Sequence, residues 1–309
     1  MMQSQRPDRE PPFPDVRAAF LLTLGALFAA AIIGVMVSDL GLIAAAGIGQ
    51  AIGIGGVATL AARRVPEPQA ARIGLVALPW RAWPMILCLA PAVLVASEMD
   101  NIAYDWSPKS EAVGEASDAD TGTEAETGAG AEGDATAQRE KGEDEQPERL
   151  IDPDDPFSVM EGLIVVVGIA PVVEEFLFRG VLQQGLVARL GMARGVTLVA
   201  LLWTMLRPVP ATSPARFIAA FVAAFGLGWL LGMVRLWSGS ILGSMVLASV
   251  WAAVGFASLA FEQRHAIPGM NVEGTHLPAW VTLSSVLLVA WAARRIFEEA
   301  SRKGDALPG

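Results

Sequence analysis

Histidine appears only twice in this sequence, cysteine and tyrosine once each, and lysine three times. With Cys88 alone, no intrachain disulfide can form and no cysteine cluster can hold a metal. Its apolar surroundings make it a small buried hydrophobe. The two histidines, His265 and His276, share one connection and stand eleven residues apart, outside the metal-ligand spacings of a single helix. Charge is scarce as well, at 17%, where soluble domains carry about a quarter. No basic stripe exists, which excludes a nucleic-acid partner. The net charge of −10 belongs to one place: residues 107–155 hold 16 acidic and 4 basic side chains, and the rest of the chain is slightly basic.

What the sequence has is long apolar runs. They fall near 18–38, 40–62, 82–98, 158–189, 194–207, 215–235, 239–261 and 279–297, and about 18 residues suffice for a helix to cross a bilayer. The fifth is short and ends at Arg207-Pro208, which predicts a tilted or partly interfacial helix. Lipid offers no partner for unpaired backbone groups, and no alternating barrel pattern occurs. The expectation is an all-α polytopic membrane helix bundle of about eight transmembrane helices. The first run is too long for a cleavable signal peptide and lacks a small-residue cleavage pattern. Three parts follow: 1–106 with helices one to three, an acidic insert at 107–156, and 157–309 with helices four to eight. The insert is nearly free of large apolar residues, cannot offset its ordering entropy, and is predicted to be disordered. Arg17, Arg63, Arg64, Arg72, Arg81, Arg189, Arg194, Arg235, Arg294 and Arg295 collect at one side of the alternating topology. That side is predicted to be cytoplasmic, with both termini on it and the insert outside. Arginine outnumbers lysine 19 to 3, which with the Ala and Gly richness points to a GC-rich bacterial source and an inner (plasma) membrane location.

Chemistry concentrates in Ala170-Pro171-Val172-Val173-Glu174-Glu175-Phe176-Leu177-Phe178-Arg179-Gly180. Each carboxylate inside an apolar span costs on the order of 3 kcal/mol at the bilayer centre, so such side chains face the bundle interior and find partners. Glu175 and Arg179 are four apart and share a helix face. Glu174 points about 100° away from that face, which leaves it free to act on something else in the bundle.

This E-E-x-x-x-R-G pattern, preceded by Ala-Pro, resembles the first signature of the CAAX-protease and bacteriocin-processing family, the type II CAAX prenyl endopeptidases. Leu201-Leu202-Trp203 falls where the family has its F-x-x-x-H helix. Gly228-Trp229-Leu230-Leu231-Gly232 and Ser238-Gly239-Ser240-Ile241-Leu242 are similar to its G-x-x-x-G helix and to the entry of its third motif helix. The resemblance covers roughly 158–260. It implies an eight-helix intramembrane endopeptidase in which the Glu174 position, with histidines from two other helices, activates a water to cut a lipidated or membrane-bound substrate. It implies either a divalent metal such as zinc or a glutamate-type mechanism.

The chain departs from that pattern. Arg207 stands where the second motif has histidine, and the third motif's histidine and asparagine fall on Ala248 and Ala252. Arginine stays protonated and offers no acceptor, so it is neither base nor metal ligand. No cofactor is expected here, because the ligands are gone. Glu174 and Glu175 against Arg179 and Arg207 sum to zero, which predicts an active site converted into a structural ion cluster. The expected partners are the lipid bilayer and a lipidated or membrane-bound protein or peptide. Two other readings compete: an active endopeptidase using Glu174 and Glu175 with an unusual third group, and a transporter-like protein, although the repeated broken helices of transporters are not visible.

Overall fold

Short polar side chains just ahead of the apolar runs start the long helices. Asp15 accepts from the Ala18 N–H at 2.7 Å, Asp155 from those of Phe157 and Ser158, Ser213 from that of Arg216, and Ser240 from that of Leu242. Each cap satisfies a backbone donor that the first helical turn leaves free. Pro156 and Pro214 follow two of these caps at the first helical position, where a missing N–H costs nothing.

The computed structural model describes residues 12–107, 151–207, 213–261 and 265–305. The predicted disorder of the acidic insert falls almost wholly outside them. Among the described residues the secondary structure is helical, apart from an isolated bridge between Pro268 and Val272. The helices before and after 108–150 build one compact unit. The protein is an all-α polytopic bundle.

Among the described residues seven helices are long and apolar enough to cross a membrane: α1 Val16–Met36, α2 Leu42–Ala62, α3 Trp80–Asp105, α4 Pro156–Leu190, α6 Pro214–Ser238, α7 Ile241–Ala260 and α8 Ala279–Arg302. The eighth apolar run is α5, Met192–Thr204, with 13 residues. At 1.5 Å per residue it reaches about 20 Å, short of a ~30 Å hydrocarbon core. The expectation of about eight spans thus becomes seven of full length and one short helix. The third and fourth runs extend further than the sequence suggested. Helix α3 continues to Asp105 and carries Glu98 and Asp100 on its last turns. Its ladder is interrupted at Ala90-Pro91, and the Trp251 indole of α7 donates to the freed Ala90 carbonyl at 3.1 Å, so the break stays satisfied.

Water does not drive these helices together inside a bilayer; close packing of small side chains does. A Cβ at Gly49 or Gly53 of α2 would collide with the α1 backbone around Ala30. Helices α2 and α4 are also unevenly wound. Gly49–Ile54, Leu163–Ile169 and Phe176–Leu182 are π-helical, a local geometry that re-aims side chains and recurs at functional sites. Two of these stretches flank Glu174 and Glu175.

The helix ends sort into two groups. At one end, Arg189 donates to the Pro12 carbonyl, Arg235 to that of Arg72, and Ser240 to that of Val76. At the other, Ser107 meets Ser213, and Arg216 bridges Asp100 and Glu273. The predicted basic side and its opposite correspond to these two ends.

Candidate active site

Two ion pairs of unequal burial have their carboxylates on α4. Arg179 Nη1 donates to Glu175 Oε1 at 2.7 Å, and both side chains are almost fully buried, at 0% and 1% exposure. Arg179 Nη2 also donates to the Gly228 carbonyl of α6 at 2.8 Å. One turn on, Gln183 Nε2 donates to the Gly232 carbonyl at the same distance. Residues four apart on α4 therefore address carbonyls four apart on α6. Glycine is needed at both: a Cβ at Gly228 would press into the Trp203 ring, and one at Gly232 into Val196 and the Gln183 amide. The Gly-x-x-x-Gly pattern is the contact surface that lets α4 side chains reach an α6 backbone.

Glu174 faces elsewhere, as its 100° offset requires. Its Oε2 accepts from the Trp203 indole at 3.0 Å and from Arg207 Nη2. The Arg207 guanidinium carbon lies 4.0 Å from the centroid of the Trp203 ring and that of Arg179 lies 5.0 Å from it. The indole thus receives two cations and gives its only donor to the carboxylate between them, a cation–π arrangement that favours arginine over lysine. Glu174 is 15% exposed and Arg207 37%. Helix α7 packs against the Ala170–Glu175 stretch. Its Ala248 and Ala252 are half-buried and bring no polar group to it.

A cavity of about 310 Å³ opens beside this pair, lined by Leu27 and Ala30 of α1, Gln50 of α2, Glu174, Trp203 and Arg207. Its chemistry does not fit a metal. The carboxylate facing it is engaged by a guanidinium and an indole N–H, neither of which is a ligand, and Arg207 places a fixed positive charge where a cation would sit. Among the described residues no three His, Cys, Asp or Glu side chains gather as a metal group.

A second polar cluster lies at the other end of α3, and the sequence reading gave it no role. Glu98 and Asp105, two turns apart, take the two ring nitrogens of His276 at 2.8 and 2.9 Å. Asp105 first, then Glu98, holds the imidazole pKa above its usual range by hydrogen bonding to it. Glu98 also accepts from the Leu277 N–H, while Ser97 and Asn101 donate to the Gly269 carbonyl. These contacts tie the 265–278 connection over a cavity of about 400 Å³. The signal was present: carboxylates at 98, 100 and 105 close an otherwise apolar run. Gln50 was also missed, although it is a lone amide in the second run.

No curated protein and no solved structure matches the chain. Residues 156–254 match the family model described as type II CAAX prenyl endopeptidase Rce1-like. That stretch runs from the Asp155-capped start of α4 through both ion pairs into α7, and over it the chain is similar to the CAAX-protease family.

Proposed function

We propose that this chain keeps the bundle of a CAAX-type membrane endopeptidase and uses it to bind a lipidated or membrane-bound polypeptide, with little or no peptide-bond hydrolysis. One observation carries the reading: the carboxylate at the family's catalytic position is held by Arg207 and the Trp203 indole. A general base must be within reach of the proton it takes and have a lone pair free for it. Here Oε2 of Glu174 accepts two donors from the protein. Arg207, at the position where the family has histidine, can neither take a proton nor bind a metal. Glu174 and Arg207 instead form a neutral pair, which a membrane interior tolerates where a bare carboxylate is expensive. In this reading residues 157–309 carry the converted site and 1–106 supply a wall of its cavity. The protein sits in a bacterial inner membrane with both termini in the cytoplasm.

Purified wild type in nanodiscs, incubated with farnesylated and transmembrane peptides, should release no more product than Glu174→Gln, while both retain lipidated peptide. Cleavage that depends on Glu174 would establish an active hydrolase working without the family histidines, and the proposal would fall.

A further inference from the structure

Among the described polar side chains lining the cavity, Gln50 is the one for which no side-chain hydrogen bond is made. Its Oε1 is buried without a partner, and its amide makes no side-chain hydrogen bond among the described residues. Native proteins seldom leave such a group unmatched, because a buried unpaired acceptor is costly. The bundle nonetheless fixes this residue in place. Gln50 lies in the π-helical stretch Gly49–Ile54, and the glycines at 49 and 53 lock that stretch against α1. The amide therefore shares the cavity with Glu174, Trp203 and Arg207 but pairs with none of them.

We infer that Gln50 is a recognition residue for the main chain of an unwound polypeptide segment entering this cavity; this rests on the reading that the cavity receives a membrane-bound polypeptide. A carboxamide offers one acceptor and two donors side by side, which complements the C=O and N–H of a peptide group. Within a bilayer a helix has already used those backbone groups on itself. Only an extended stretch, such as one near a chain end, still has them to offer. The apolar wall of Leu27 and Ala30 takes side chains or an acyl group, and Gln50 reads the backbone. Binding through Gln50 thus selects for unwound segments over intact transmembrane helices.

The test uses full-length protein in nanodiscs and one probe, a capped apolar pentapeptide with a photoreactive leucine, beside its backbone N-methylated analogue. Wild type should bind the unmodified peptide at least about tenfold more tightly, the scale of one lost buried hydrogen bond. Gln50→Leu should bind both peptides equally. Gln50→Leu without peptide should melt at the same or a higher temperature, because it removes an unpaired buried acceptor. A structural glutamine would instead lose melting temperature. Equal discrimination by wild type and Gln50→Leu overturns the inference while leaving the polypeptide-binding reading intact. Failure of wild type to bind either probe overturns both. Filling of the site by water alone would show as N-methylation having no effect, which also overturns it.

Discussion

Four charges at one level of the bundle differ in what their removal exposes. Arg179 and Glu175 are buried together, and stranding one member of a buried pair costs about 3–5 kcal/mol. Arg207 is 37% exposed, so its pair lies between that case and an exposed pair, which contributes at most about 1 kcal/mol. Arg179→Ala should therefore destabilise the purified protein by about 3–5 kcal/mol and Arg207→Ala by about 1–2 kcal/mol, measured by unfolding in detergent. Glu174→Gln combined with Arg207→Ala should cost less than the two single losses added. Full additivity would mean the two side chains do not interact in the membrane. The Glu175–Arg179 pair is legible in the sequence because i,i+4 spacing on one helix fixes proximity. A bond between Trp203 and Glu174 is not, since it depends on how α5 rotates against α4, which neither helix encodes alone. Gln50 escaped because it lies outside the stretch that matches the family model, and a lone amide in an apolar run has no spacing to read.

At the scale of elements, the runs and their order were legible from length and apolarity, while the winding inside them was not. Periodicity treats 158–189 as one α-helix, yet two π-helical stretches interrupt it. The energy difference between the windings is set by neighbours across the interface. The connection 265–278 shows the same limit, because its role appears only when α3 stands beside it. His276 joins this connection to Glu98 and Asp105, with Asp100, Arg216 and Glu273 as the other charged groups around it. Its folded-state pKa is raised, so the protonated imidazole adds stability that is fully present below the unfolded pKa, near 6.5. That stability fades as pH rises through the folded value. A nitroxide label at Val272, in a Cys88→Ala background, should therefore be more mobile above the folded value than below about pH 6.5. With His276→Gln the label should be mobile at both. A label equally rigid throughout in the parent protein would show that backbone bonds at Gly269 hold the connection without the imidazole.

For the whole molecule, the count of crossings decides on which side the two termini lie, and the short α5 decides the count. A helix of 13 residues reads as a weak crossing by length. The bundle assigns it by what lies at its ends. It begins beside Arg189, at the end where that side chain bonds the Pro12 carbonyl. The following α6 begins at Ser213, which meets Ser107 at the opposite end. The chain therefore changes ends between α4 and α6, and eight traverses return the terminus of α8 to the side of the start of α1. A short traverse is tolerable because α5 is packed among other helices: Val196, Val199, Ala200, Leu202 and Trp203 are buried. The end gathering Arg63, Arg64, Arg72, Arg189 and Arg235 is the basic one, and basic connections stay in the cytoplasm. In a Cys88→Ala background, a cysteine at Ser107 should react with an impermeant thiol reagent in intact cells. One at Gln69 should react only after the membrane is opened. The reverse pattern would invert the bundle. Labelling of both Gln69 and a position near residue 300 from opposite sides would show that α5 does not cross, leaving an odd count.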